Sequence, residues 1–184
     1  MPFARFCFQL LLLGALSGLG TPLFAAEKFP LKQGLHEWPA LGGKLFLVVG
    51  TYQDTVSYRR TYNFFFKEAK AEEWNQVPVL GRKGNQQFTW QSAVGGEVTI
   101  ADGTIVARPD GTLYFVVADK RIGQSYQDRG TITVTWYKLT QSGDDQPDEL
   151  AYQLKPAFVR DYPNAKQTVE DILAKEVVLQ PRKQ

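Results

Sequence analysis

Apolar residues in most of the chain come in short runs separated by Gly, Pro, Asn and Asp. Runs of about four to eight residues with such boundaries are typical of the strands of an all-β domain. The pattern predicts nine strands, near residues 44–51, 60–67, 74–80, 86–90, 97–101, 104–108, 112–119, 131–139 and 150–155. Alternation is clearest at 131–136, where it places Ile132, Val134 and Trp136 on a buried face and three threonines on a solvated face.

Two Asp-Gly pairs indicate tight turns. Asp102 and Gly103 lie between two apolar runs and predict a two-residue hairpin, because glycine tolerates the positive φ that such turns require. Asp110 and Gly111 are interpreted in the same way. With these turns, the economical architecture is two stacked antiparallel sheets.

Helical spacing occurs once, near the C-terminus. Apolar residues within 165–176 follow it, and Asn164 with Gln167 resembles a capping box at its start. Such a short helix is stable only when its apolar stripe docks on a sheet. The fold class predicted is therefore mostly β, an antiparallel two-sheet β-sandwich with a short C-terminal helix.

The N-terminus has the order of a secretory signal. Arg5 is followed by the apolar run 6–19, by Gly20 and Pro22, and by two alanines at 25–26. The run is interrupted too early for a membrane-spanning helix, which needs roughly 20 apolar residues. We expect a cleavable signal at 1–26, a single β-sandwich domain at 27–184, a periplasmic location and no membrane anchor.

The cysteine content and the net charge exclude further classes of function. Cys7 is the only cysteine and lies within the predicted signal, so the mature domain has neither a disulfide nor a thiol-based site. The 21 Lys and Arg nearly balance 19 Asp and Glu, which argues against nucleic acid as a partner.

The common catalytic signatures are missing. His36 is the only histidine, so a zinc site of two or three imidazoles is excluded, and the Ser-x-x-Lys and Lys-Thr-Gly motifs of serine β-lactamases are absent. We predict a protein that is not an enzyme and that needs no metal or cofactor. One catalytic alternative remains, an acid/base pair formed among Glu97, Asp102, Asp119 and Asp128.

One polar connection stands out between two long predicted strands. It spans residues 119–129 and concentrates charged groups, a hydroxyl and a phenol around Gly123. Loops held between strands often carry recognition groups. The candidate binding residues are Asp119, Arg121, Ser125, Tyr126, Asp128 and Arg129. The alternative is a long hairpin loop whose charges stay hydrated, with Asp128 and Arg129 pairing locally.

The same connection carries a family resemblance. Residues 118–128, Ala-Asp-Lys-Arg-Ile-Gly-Gln-Ser-Tyr-Gln-Asp, are similar to the Ala-Asp-Arg-x-x-Gly-x-Ser-Tyr-x-Asp stretch of carbapenem intrinsic-resistance proteins of the CarG type. Leu-Lys-Gln-Gly at 31–34 and Trp-Asn-Gln-Val-Pro at 74–78 resemble further family motifs, and 161–176 resembles the family's closing helix.

This resemblance implies a periplasmic β-sandwich, similar in fold to periplasmic inhibitors of invertebrate-type lysozyme and compatible with a homodimer. The role implied is protection from a carbapenem by sequestration or target protection, without hydrolysis. If a β-lactam carboxylate is the ligand, Arg121 or Arg129 would pair with it while Ser125 and Tyr126 donate hydrogen bonds.

Two other functions stay open at this point. The chain could inhibit a lysozyme or another cell-wall hydrolase by inserting an arginine or tyrosine into its cleft. It could also be an envelope scaffold whose dimer surface uses aromatics such as Tyr58, Tyr62 and Phe64. The predicted partner is accordingly a periplasmic ligand or protein of unknown identity, either a carbapenem or a cell-wall enzyme.

Overall fold

A computed structural model of the chain describes residues 31–53, 58–95, 98–143 and 149–178. The predicted signal at 1–26 lies outside these residues. The described elements are β1 Gly34–Ala40, β2 Gly43–Gln53, β3 Tyr58–Glu68, β4 Asn75–Val77, β5 Val79–Leu80, β6 Gln86–Gln87, β7 Thr89–Gln91, β8 Ala93–Gly95, β9 Val98–Ala107, β10 Leu113–Lys120, β11 Gly130–Gln141, β12 Tyr152–Ala165 and α1 Val169–Val178.

The strands form two sheets. The front sheet has the order β1-β2-β3-β4, with β7 also paired to β3, and the back sheet has the order β6-β5-β12-β11-β10-β9-β8. All pairs are antiparallel except β5 with β12. The predicted fold class, a mostly β two-sheet sandwich with a C-terminal helix, is confirmed.

The main core lies between the two sheets. Alternate residues of β2 and β3 meet alternate residues of β10, β11 and β12, as the period of two along a strand requires. Aromatic rings from both sheets interlock there, for example Phe64 with Phe115 at 4.9 Å and Phe66 with Tyr152 at 4.1 Å between centroids. Tyr62 and Phe64 are fully buried in this core, so they do not form the exposed dimer surface considered above.

A second core lies between the back sheet and the helix. Ile132, Val134 and Trp136 face it together, which confirms the predicted alternation, and Ile172 and Leu173 pack against them. The opposite face of β11 is not simply solvated, however, because it faces the front sheet. Thr135 on that face is only 5% exposed, so the prediction of a wet threonine face was wrong there.

The helix begins later than predicted. Strand β12 continues through Pro163 and Asn164 to Ala165, and the helix starts at Val169. The cap is Thr168 with Asp171: each backbone N–H donates to the other's side chain at 3.1 Å. Pairing with β11 holds the segment before the helix in the sheet, which local sequence signals did not reveal.

The Asp102-Gly103 hairpin prediction was also wrong. Val98–Ala107 is one continuous strand that passes through both residues. A Cβ on Gly103 would lie 2.5 Å from the ring of Phe115. Glycine is thus required here for close packing under an aromatic ring and not for a turn. The turn predicted at Asp110 and Gly111 is confirmed, since it connects β9 to β10 and Gly111 has a φ of 79°.

Two further predicted strands are each divided between the sheets. The segment 74–80 becomes β4 in the front sheet and β5 in the back sheet, and 86–90 becomes β6 in the back sheet and β7 in the front sheet. The chain therefore crosses between the sheets at Pro78 and again at Phe88. Strand β1, which pairs with β2, was not among the predicted strands. In the described residues, no helix has the length and apolar character needed to cross a membrane.

Candidate functional site

The inner face of the back sheet changes from apolar to polar along its length. Three successive cross-strand pairs of β10 and β11 show this change: Phe115 with Tyr137, Val117 with Thr135, and Asp119 with Thr133. The first pair lies in the core, whereas Asp119 is exposed. The sandwich therefore opens at this end into a polar space between its sheets.

That space, here called the inter-sheet cleft, has a volume of about 400 Å³. Its walls come from both sheets and from the connections beside them. The lining residues are Gly81, Arg82, Gln87, Trp90, Val117, Asp119, Arg121, Thr133, Thr135 and Tyr137. A volume in the range of roughly 300–1,000 Å³ is usual for a small-molecule site.

The aromatic wall of the inter-sheet cleft is firmly held. The ring of Trp90 on β7 packs edge-on against Tyr62 at 5.3 Å and against Phe115 at 5.4 Å, measured between centroids. Both partners are fully buried, so the indole extends the main core to the edge of the cleft.

The two cationic walls are held by backbone hydrogen bonds. Arg82 lies in the turn between β5 and β6, which is closed by the Gly81 N–H to the Asn85 carbonyl at 2.9 Å. Arg121 follows β10 directly, and its N–H donates to the Thr131 carbonyl at 2.8 Å. Both cleft arginines are thus carried by a backbone that is held by hydrogen bonds.

The charged groups of the inter-sheet cleft are not paired with one another. Within the described part of the chain, neither Arg82 nor Arg121 forms an ion pair within 4.0 Å. Partial desolvation raises the pKa of Asp119, and the nearby charge of Arg82 opposes that rise. Burial likewise raises the pKa of the Tyr137 phenol, which therefore remains a neutral hydrogen-bond donor at physiological pH.

The rest of the polar connection is braced by its own hydrogen bonds. Asp128 accepts from the Ser125 N–H at 2.8 Å, and Lys120 donates to the Tyr126 carbonyl at 2.7 Å. The Tyr126 ring lies against Gly95, where a Cβ would come within 2.4 Å of it. Ser125, Tyr126, Asp128 and Arg129 lie outside the inter-sheet cleft, so the structure brings only Asp119 and Arg121 of the six candidates into it.

Sequence reasoning missed Arg82 and Trp90. Arg82 falls between the predicted strands 74–80 and 86–90, and Trp90 is the last residue of the second one. Both are far from the polar connection in sequence. The crossing at Pro78 places Arg82 between two strands of the back sheet, and the crossing at Phe88 places Trp90 in the front sheet. No local motif marks such a crossing.

A second polar cluster lies beside the helix. Asp102 is only 4% exposed and accepts hydrogen bonds from Tyr62, from the Gly103 N–H and from Arg60, the last at 2.9 Å. The cluster borders a groove of about 500 Å³ that also contains Glu170. Because three donors already satisfy Asp102, we interpret this cluster as a link between the sheets.

The residues considered for an acid/base pair lie in separate places. Asp102 lines the groove beside the helix, Asp119 lines the inter-sheet cleft, and Asp128 is bonded within its own turn. Glu97 lies outside the described residues. Across 31–53, 58–95, 98–143 and 149–178, no group of three or more His, Cys, Asp or Glu side chains could hold a metal ion.

The fold and the cleft together define a β-sandwich with a polar opening between its sheets, backed on one side by a helix. Among solved structures, the chain is similar to the one described as the crystal structure of CarG, with a TM-score of 0.63 and 20% sequence identity. The match covers 79% of this chain and 92% of CarG. The CarG-like fold implied by the sequence resemblance is confirmed, and similarity to lysozyme inhibitors stays a prediction.

Other comparisons add no relative. No protein-family model matches the chain, and no curated protein gives a significant match.

Proposed function

We propose that this chain is a non-enzymatic periplasmic protein of the CarG type, which protects by binding a small carboxylate-bearing molecule such as a carbapenem. The single observation that carries the proposal is the inter-sheet cleft, where Arg82 and Arg121 stand without carboxylate partners in the described part of the chain. Unpaired guanidinium groups beside one opening form a receptor for an anion.

The chemistry of the lining suits a carboxylate on a compact apolar skeleton. A guanidinium donates two parallel hydrogen bonds to a carboxylate, which gives both affinity and orientation. Trp90 and Val117 offer apolar surface beside the arginines, and Tyr137 offers a hydroxyl. These groups bind and orient a ligand, and the lining contains no histidine or cysteine to act as a nucleophile or as its base.

The periplasmic location rests on the signal-like pattern at 1–26 and on the cysteine-free remainder of the chain. Sequestration there would lower the free concentration of a β-lactam before it reaches the enzymes that build the cell wall. This mode of protection requires stoichiometric amounts of protein, because each molecule holds one ligand.

Calorimetric titration with a carbapenem tests the proposal. The wild-type chain should release or absorb heat with one-site saturation, and Arg121→Ala should weaken binding roughly tenfold, since a charge-assisted pair is lost. Arg129→Ala is the matched control, because Arg129 lies on the same connection but outside the cleft. Absence of heat with the wild-type chain would remove the ligand hypothesis.

Hydrolysis can be followed in the same samples. The absorbance of the β-lactam chromophore should decay no faster with the protein than in buffer. Turnover beyond one equivalent would contradict a protein that acts only by binding.

Inhibition of a cell-wall hydrolase is the second candidate function. It is favoured by the braced polar connection, which presents Tyr126 with 46% of its surface exposed. In a muramidase assay, Tyr126→Ala and Arg129→Ala should then relieve inhibition while Arg121→Ala retains it. Unchanged lysis at micromolar wild-type protein, tested with several lysozyme types, would count against this function.

A further inference from the structure

Asp119 is an exposed carboxylate at the edge of a cleft that also contains two arginines. In the described residues it accepts no hydrogen bond and forms no ion pair, although it shares the inter-sheet cleft with Arg82 and Arg121. Because the carboxylate is exposed at the edge of the cleft and has no donor from the described residues, it is accessible to a ligand. A polar group left without partners in a site is one that a ligand can complete.

Asp119 is also placed where it acts on a bound ligand. It lies opposite Thr133 in the ladder of β10 and β11, two residues before Arg121 and on the face that lines the cleft. Strand pairing fixes its backbone position, so the side chain starts from the cleft lining. Any molecule held by the arginines is therefore close to this negative charge.

We propose that the inter-sheet cleft selects an amphoteric ligand, whose carboxylate is held by Arg82 and Arg121 and whose ammonium group pairs with Asp119. This inference rests on the proposed function and adds the class of ligand to it. It adds Arg82 to the site, which the sequence did not indicate, and gives the candidate residue Asp119 a specific role.

The charges explain why a ligand with both groups is preferred. The arginines attract any carboxylate, but Asp119 repels it, and Asp119 attracts an ammonium group that the arginines repel. A simple carboxylate satisfies the arginines and leaves Asp119 facing a second negative charge. A ligand carrying both groups satisfies all three side chains, so Asp119 favours one class of ligand and opposes the other.

A matched pair of carbapenems separates the two classes. Thienamycin carries a carboxylate and an ammonium side chain, and N-acetylthienamycin is the same nucleus with that ammonium converted to a neutral amide. We expect calorimetry on the wild-type chain to show thienamycin binding roughly threefold to tenfold more tightly, the range of a partly exposed ion pair.

The decisive variant is Asp119→Asn, which keeps the size of the side chain and removes its charge. It should weaken thienamycin binding and strengthen N-acetylthienamycin binding, each by roughly threefold to tenfold. Opposite signs are the signature of a charge that contacts the ligand, because a merely structural loss would weaken both. Asp110→Asn, a surface aspartate outside the cleft, is the control and should change neither affinity.

The possible outcomes distinguish failure of the amphoteric-ligand inference from failure of the proposed function. Equal affinities of the wild-type chain for the two carbapenems, or a shift of both in one direction with Asp119→Asn, would overturn the amphoteric ligand and leave carboxylate binding in place. If neither carbapenem binds the wild-type chain, the proposed function itself fails. A thermal melt of each variant confirms that it is folded before its affinities are compared.

Discussion

The hydroxyl of Tyr62 on the front sheet donates a 2.5 Å hydrogen bond to the carboxylate of Asp102 on the back sheet. Arg60 completes the link by pairing with the other carboxylate oxygen at 2.9 Å. Burial raises the pKa of Tyr62 far above its ordinary value, and the charge of Asp102 adds to the rise. The phenol therefore stays protonated, as a donor to a carboxylate must.

Removing this donor should destabilise the sandwich. Tyr62→Phe takes away one of the three groups that satisfy Asp102, so we expect unfolding to become easier by about 1–3 kcal/mol. Tyr52→Phe is the matched control, because Tyr52 is 53% exposed and should change stability little. Urea denaturation of both variants measures the difference, and equal losses would contradict the link.

The raised pKa of Tyr152 predicts how the stability of the protein changes at high pH. Its hydroxyl donates to Glu68 at 2.7 Å, and burial followed by this hydrogen bond raises its pKa from 10.0 to about 12. The native state thus retains a proton that the unfolded chain releases, so the stabilisation is complete below pH 10 and is lost as the pH rises towards 12.

The measurement is the free energy of unfolding as a function of pH. It should fall between pH 10 and 12 for the wild-type chain and fall less steeply for Tyr152→Phe, which has no proton to lose there. An identical slope for the two proteins would show that Tyr152 does not contribute.

We predict that position 103 must be glycine because the ring of Phe115 packs against it. Gly103→Ala places a methyl group 2.5 Å from Phe115 and should cost about 1–3 kcal/mol of stability through overpacking. Adding Phe115→Leu should make the alanine better tolerated, because the atoms that clash with it are removed. A purely additive double variant would contradict the steric explanation.

Glu176 is predicted to hold the helix on the sheet. Its side chain is fully buried and accepts hydrogen bonds from Trp136 at 3.0 Å, from Arg160 at 2.5 Å and from Tyr162. Glu176→Gln should cost about 1–3 kcal/mol, since a charged acceptor is lost from among these donors.

A control lies on the same helix. Glu170→Gln changes a partly exposed glutamate and should alter stability by less than about 0.5 kcal/mol. Hydrogen exchange should show faster exchange of helix amides in Glu176→Gln only. Slow exchange in both variants would mean that the apolar contacts of the helix suffice.

Thr104 offers a stabilising substitution. Its hydroxyl is buried and has no hydrogen-bond partner in the described residues. Thr104→Val has nearly the same shape and removes the unsatisfied oxygen, so stability should rise by about 1 kcal/mol. Chemical denaturation checks this, and a clear loss of stability would indicate that the hydroxyl is satisfied in solution.

Sequence patterns predicted correctly those features of the structure that depend only on neighbouring residues. Alternation identified the residues of β11 that face the helix, because side chains of a strand must point to opposite sides, and the polar connection was placed correctly between two long strands. Local patterns gave wrong predictions at Gly103 and at the start of the helix. Gly103 is required by the ring of Phe115, which is distant in sequence. The helix starts late because β12 continues by pairing with β11, which is also distant in sequence. Neither neighbour is visible in a window of adjacent residues.

The sequence by itself determined a mostly β domain with one short helix and drew attention to Asp119 and Arg121. Only the tertiary structure decided that these two groups share a cleft with Arg82 and Trp90 while the rest of their connection lies outside it. The reason is physical: strand periodicity is a property of neighbouring residues, but a site between two sheets is made by the crossing of the chain from one to the other. That crossing is fixed by how both sheets bury their apolar faces together.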